Sequence, residues 1–213
     1  MTADRAPTLG EEVASSISHG VGLIAALAAA PWLIASAMRQ GGSLDRVLAA
    51  SVFATTLVIL YLASTLYHAL PNSRGKRVFR ILDHGAVFLL IAGTYTPFTV
   101  GVLRGPWGWT LLVVVWLLAG AGVVLTATGG LRYPRLLTAS YVGMGWLIVI
   151  AIRPLWLREP AAGLLWLLAG GVAYCVGVVF LTAPRLRYHH FVWHLFVLAG
   201  SACHVVAALA YAG

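Results

Sequence analysis

The chain has 213 residues, of which 61% are hydrophobic and only 9% charged, with a mean hydropathy of +0.91. Soluble domains carry roughly 25% charged residues, so this chain cannot clothe a water-exposed surface, and an ordinary soluble domain is excluded. Fourteen bases against six acids give a net charge of +8; in a membrane protein this reads as Lys and Arg gathered in cytoplasmic loops beside anionic lipid, with no nucleic-acid partner implied.

The short polar N-terminal segment, residues 1–15, sets Asp4, Glu11 and Glu12 against Arg5. It lacks the basic, then apolar, then small-residue order of a cleavable signal peptide, so the first span is expected to act as an uncleaved insertion signal. A span needs about 20 mostly apolar residues. Seven windows qualify, at residues 17–38, 48–69, 79–101, 108–127, 135–152, 161–182 and 190–211. Gly41-Gly42, Pro71 to Gly75, Gly129-Gly130, Pro154, Pro160 and Pro184 mark short turns between them. These connections are too short for a second module. The expectation is one all-α integral membrane domain over residues 1–213, a seven-transmembrane helix bundle, multi-pass in the plasma (inner) membrane.

Charge orients the bundle. With the N-terminus cytoplasmic and the C-terminus outside, the inner side holds Arg5, Arg74, Lys76, Arg77, Arg80, Arg132, Arg135, Arg185 and Arg187, against Arg39, Arg46, Arg104, Arg153 and Arg158 outside. The positive-inside rule favours that orientation. Pro97 is expected to kink the third span, with Thr94 or Thr96 satisfying the freed backbone. Small residues such as Ala173 and Gly177 permit close helix packing. Cys175 and Cys203, both in apolar runs without a Cys-x-x-Cys pair, read as small buried side chains.

Ionisable residues inside a span cost a few kcal/mol each, about 3 on insertion scales, and are functional suspects. Here they fall unevenly. The second span ends Ser64-Thr-Leu-Tyr-His68, the third begins Arg80-Ile-Leu-Asp83-His84, and the seventh begins His189-His190 and continues to His194, while spans four, five and six carry no acid or His. Alternation of the helices brings His68, Asp83, His190 and His194 to one level of one leaflet. His190 and His194 are four apart and stack on one helical face, roughly 6 Å from each other. Three imidazoles with a fourth position open are the ligand set of a catalytic zinc. Asp83 is then placed to orient a ligand or take a proton, and Ser64, one turn before His68, to hydrogen-bond a water or a carbonyl. His84 and His189 read as rim residues beside headgroups. His204 lies roughly 15 Å deeper than His194, too far to share the ion.

Glu11, Ser15 and His19 are spaced by four, and Glu12 lies seven before His19. Two readings stay open for them: a polar lid near the metal, or an amphipathic interfacial helix with its acids at the favourable N-terminal end.

Glu11-Glu12 through His19-Gly20, Ser64-x-x-x-His68, Leu82-Asp83-His84 and His190-x-x-x-His194-Leu-Phe-Val, in this order over nearly the whole chain, resemble the haemolysin III branch of the progesterone and adipoQ receptor (PAQR) family, itself similar to the alkaline ceramidases. The resemblance implies seven helices with the N-terminus inside and a zinc near the cytoplasmic face. It assigns the ion to His68, His190 and His194, with Asp83 on the zinc water. Where such bacterial proteins often have Asn in a Glu-x-x-x-Asn-x-x-x-His stretch, this chain has Ser15. The short N-terminus lacks the domain of hormone-binding members, so an extracellular hormone is not the expected ligand. The function expected is zinc-dependent hydrolysis of a membrane-lipid amide or ester, ceramide-like or fatty-acyl. Its rivals are a non-catalytic membrane-homeostasis or receptor-like protein with structural zinc, and a pore-forming cytolysin.

Overall fold

A computed structural model describes residues 6–212; Asp4 and Arg5 lie outside the described residues. Among those residues the structure is helical, without strands, and seven helices are long and apolar enough to cross a membrane. The chain is thus an integral, multi-pass membrane protein.

The first helix, α1 (Leu9–Arg39), starts earlier than hydropathy suggests. Thr8 caps it: its Oγ1 accepts from the Glu11 amide, and its own N–H donates to Glu11 Oε2 at 2.7 Å. This reciprocal box satisfies two of the orphan donors at the helix start and places Glu11 and Glu12 in the first turn, where the helix dipole favours them. From Leu9 onward the polar N-terminal segment forms the first two turns of the spanning helix.

Then follow α2 (Leu44–Ala69), α3 (Arg74–Val100) and α4 (Pro106–Ala127). The fifth span is composite, with α5 (Pro134–Gly145), a 3-10 stretch (Trp146–Ala151) and α6 (Ile152–Arg158). Pro154 does not end this span, as the sequence suggested. It is the third residue of α6, where a missing N–H breaks no intrahelical bond, and the span runs on from 152 to Arg158. Where α-geometry passes to 3-10, the Tyr95 hydroxyl of α3 donates to Gly145 O at 2.8 Å and accepts from Ile148 N at 2.9 Å. A side chain from the neighbouring helix thus satisfies backbone groups that the change of geometry releases inside the membrane. The last two spans are α7 (Ala161–Leu181) and α8 (His189–Tyr211).

The packing order explains where a site can form. Helix α1 lies between α2 and α8; α2 packs on α3, α3 on α4, and α7 on α8. Glycine lets two of these pairs approach closely. A Cβ at Gly93 would strike Thr56 of α2, and one at Gly177 would lie 2.7 Å from both Phe196 and Trp193 of α8. The threonines before Pro97 act differently from expectation. Thr94 donates to Leu90 O and Thr96 to Ala92 O, both at 2.8 Å, so neither reaches Gly93 O, the carbonyl that Pro97 deprives of its partner. Cys175 and Cys203 are free and only partly buried.

Alternation of seven spans collects Arg74, Lys76, Arg77, Arg80, Arg132, Arg135, Arg185 and Arg187 at the end where α1 begins. At the other end Arg104 pairs with Asp45 at 3.3 Å, and Arg158 Nη1 donates to Arg104 O at 3.1 Å. Beside them, in the turn between the fifth and sixth spans, Glu159 is 5% exposed with neither carboxylate oxygen hydrogen-bonded.

Burial pushes the Glu159 carboxyl up from 4.5 to about 7, because desolvation penalises the charged form. The folded state therefore favours the protonated acid, and the linked stability is full below pH 4.5 and lost as pH rises to about 7. Melting of the purified protein in detergent should show wild type losing stability across that window, whereas Glu159→Gln, neutral throughout, loses less; parallel pH profiles would contradict the assignment.

Candidate metal centre

Four helix segments meet at the end where α1 begins. His68 comes from the last turn of α2, His190 and His194 from the first turns of α8, Asp83 from the third turn of α3, and Glu11, Glu12, Ser15 and His19 from the start of α1. The start of α8 is set by Tyr188, which alone among described non-glycine residues has positive φ, at 57°. Such a conformation is uncommon for a bulky side chain. It is held from outside the helix: the Tyr188 N–H donates to Glu11 Oε1 at 2.8 Å. The cap on α1 and the entry to α8 thus share one carboxylate.

His68, His190 and His194 each offer a ring nitrogen within 4.8 Å of the other two. Ring centroids are 5.0 Å apart for His68 with His190, 5.0 Å for His68 with His194, and 4.7 Å for His190 with His194. The surroundings fix which nitrogens face inward. His68 Nδ1 donates to Glu12 Oε2 at 2.7 Å, and His194 Nδ1 to Ser15 O at 3.1 Å. A carboxylate and a carbonyl only accept, so in both rings the proton sits on Nδ1 and Nε2 presents its lone pair. Metal-binding histidines show the same pattern, with the second nitrogen donating to a carboxylate or backbone carbonyl.

Unsatisfied atoms locate the centre independently. Buried polar groups normally have partners, yet ten buried side-chain N and O atoms among the described residues have none. Four of them lie on the rings described here: His68 Nε2, His190 Nε2 and both nitrogens of His19, whose ring stacks on His194. Their concentration around one spot marks a site built for a further polar group. The donor set, all imidazole nitrogen, suits a borderline transition metal better than calcium or magnesium, which prefer oxygen. The three histidines could therefore hold a metal ion, and the pattern of empty Nε2 positions fits one.

The remaining candidates take distinct places. Asp83 is buried outside the three-ring triangle, 3.6 Å from His84 Nδ1 and facing His68 and Ser64. Ser64 is fully buried. His19 stacks flat on His194, with centroids 3.5 Å apart and planes at 8°, and meets Tyr61 edge-on at 5.1 Å. His84 Nδ1 donates to Arg80 O, and His189 Nδ1 to Phe180 O. His204 donates to Gly200 O at 2.8 Å within its own helix and stacks on Tyr174. A recess of about 160 Å³ opens onto the centre, lined by Glu11, Glu12, Tyr67, His68, Tyr188 and His190 among others.

A model of the haemolysin-III related family matches residues 8–205. The chain belongs to this family. It is 43% identical over 201 residues to Hemolysin-3 of Bacillus cereus, covering 94% of this chain and 91% of that protein. The Hemolysin-3 homolog of Bacillus subtilis (strain 168) is 41% identical over 204 residues, 96% and 95% of the two chains. The Monocyte to macrophage differentiation factor of Homo sapiens, a PAQR relative, is 25% identical over 213 residues, 96% and 86%. For a haemolysin III protein the plasma membrane is the expected location.

Sequence reasoning missed four residues of this centre. Lys76 counted only as an orienting charge, and no role in the centre was read for Tyr188, Tyr61 or Ser18. Tyr61 was findable: it lies seven residues before His68 on α2, the same face two turns deeper.

Purified protein should carry about one metal ion per chain by elemental analysis, and His190→Ala or His194→Ala should lower that content about tenfold or more. Retention of stoichiometric metal by both variants would show that the ion, if any, sits elsewhere.

Proposed function

We propose that this haemolysin III protein is a zinc-dependent hydrolase of a membrane-lipid amide or ester, acting from the cytoplasmic leaflet. One observation carries the reading: His68 Nε2 and His190 Nε2 are buried without a partner, in a three-histidine cluster whose His68 and His190 line a recess. Orientation follows from the eight described bases at that end against five at the other, which the positive-inside rule reads as cytoplasmic.

The zinc ion would be held by His68, His190 and His194 and, when bound, supplies Lewis acidity for a water and a carbonyl oxygen. The protein's own groups do the rest. Asp83 faces Ser64 and His68, where its carboxylate can take a proton from a water and return it to a leaving amine or alcohol. The Ser64 hydroxyl, beside Asp83, can donate to oxygen on the reacting carbonyl. The flat stack of His19 on His194 walls the site on its membrane side and keeps the ligand ring from rotating. Two acyl chains need no pocket of their own, since the outward faces of these helices are apolar and meet lipid.

A second reading has its own support. Helices α2 and α8 each pack on α1, and an ion on His68, His190 and His194 would join them directly, as a structural clamp does. The two readings separate in one assay. The zinc-loaded protein in mixed micelles should release fatty acid from at least one member of a panel of ceramides and acyl lipids. His190→Ala should abolish release, and Asp83→Asn should slow it by about a hundredfold, the scale of a general acid–base contribution. No turnover across the panel, with stability that falls on metal removal, would favour the clamp.

A further inference from the structure

Glu12 forms an ion pair with a ring of the triangle, that of His68. Its Oε2 accepts from His68 Nδ1 at 2.7 Å, and its Oε1 from Lys76 Nζ at 3.0 Å. Lys76 is itself fixed: Nζ also donates to Leu70 O at 3.2 Å and lies 5.0 Å from the Tyr67 ring centre. The side chains are mostly buried, 6% exposed for His68, 15% for Glu12 and 18% for Lys76. One carboxylate on α1 thus joins a histidine on α2 to a lysine on α3. Its neighbour Glu11 is used otherwise, for Thr8 and the Tyr188 amide.

We propose that Glu12 is the positioning residue for His68, holding its imidazole as an Nε2 ligand, and that Lys76 holds Glu12 in turn. The inference rests on the metal reading above. Three features support it. Glu12 touches only the outer nitrogen of His68, leaving Nε2 buried and unpartnered. The bond is short and charge-assisted, so it fixes ring rotation and raises the basicity of the opposite nitrogen. His194 has a backbone carbonyl and a serine hydroxyl in the same place, so the carboxylate makes His68 the more electron-rich ligand of those two. Lys76 stops the carboxylate from turning out to solvent: a flexible Glu alone would lose that geometry to side-chain entropy.

The test uses the full chain in detergent, with Zn²⁺ itself as the probe, titrated against a chromophoric chelator. Wild type is compared with Glu12→Ala, Glu12→Gln and Lys76→Met, and metal-free melting is measured for each. Glu12→Ala should bind zinc roughly 10- to 100-fold more weakly, the range for lost outer partners of ligand histidines. Glu12→Gln should recover most of that loss, since its amide oxygen still accepts from Nδ1. Lys76→Met, with an apolar stem still able to cover Tyr67, should fall between them. Metal-free melting temperatures should stay together. If Glu12→Ala does not fold, Glu12→Met, similar in volume without an acceptor, takes its place. Zinc affinity equal to wild type in the variant lacking an acceptor overturns the proposal. So does a Glu12→Gln variant no better than Glu12→Ala with metal-free melting lowered in step, which is what a merely structural contact would give. Wild type that binds no zinc would instead sink the metal reading itself, a distinct result.

Discussion

An imidazole has two nitrogens, and inside a membrane neither can turn to bulk water. This constraint governs the end of the bundle where α1 begins. For His68 and His194 the protein satisfies one nitrogen, through Glu12 and Ser15 O; for His68 the other, Nε2, is left buried and bare. His190 Nε2 is bare too. A bare buried acceptor costs about 1–3 kcal/mol, and several together would be a poor arrangement for a protein whose only task was to stay folded. Sharing one electrophile among them would remove the cost at every ring at once. An ion there would also account for the proximity of α2 and α8, which otherwise meet through α1.

Helix α1 is accordingly more than a membrane anchor. Its capping box begins the helix at Leu9, and that start sets the phase of everything after it. Glu11, Ser15, Ser18, His19 and Gly22 then fall on one buried face. Each does something different at successive depths: Glu11 holds the Tyr188 amide, Ser15 O and Ser18 Oγ meet His194 Nδ1, His19 stacks on His194, and Gly22 lets Tyr61 and Leu198 approach. A start displaced by one residue would rotate this face by about 100° and aim all five away from α8.

How much of this was legible depends on whether the signal is local. Seven apolar windows separated by Gly and Pro fix the number and order of spans, because the length needed to cross a bilayer is a physical constant of the solvent. The i, i+4 pair His190 and His194 is legible for the same kind of reason, helical periodicity. Depth came from alternation alone, which is why His68 could be placed near that pair, and Asp83 beside His68, from the sequence. What stayed hidden was rotation. Hydropathy does not say which way a uniformly apolar helix faces, so the neighbours of Glu12 were not readable, and neither was the stacking of His19 on His194. Local chemistry was also misread where it competes with a helix already under way. Pro154 resembles a turn signal yet sits in the first turn of α6, and Thr94 and Thr96 bond their own helix away from the carbonyl freed by Pro97.

The division of labour between spans follows from the same solvent. Over its most apolar window α2 is 56% buried within the bundle and α3 50%, whereas α7 is 11% and the fifth span 22%. An ionisable side chain on a helix of the second kind would face hydrocarbon for most of its circumference, at a cost of about 3 kcal/mol on insertion scales. That is a sufficient reason for α4, the fifth span and α7 to carry no acid or histidine, and for the titratable groups to gather on α1, α2, α3 and α8. The exception tests the rule. The first span is only 22% buried over its most apolar window, yet it contributes Glu11, Glu12 and His19. All three lie in its first three turns, where α2 and α8 flank it. Past Gly22 the outward positions are Ile24, Leu27 and Trp32, with no charge before Arg39. One helix therefore changes role along its length, from wall of a polar site to lipid-facing scaffold, at the depth where its neighbours stop needing polar partners.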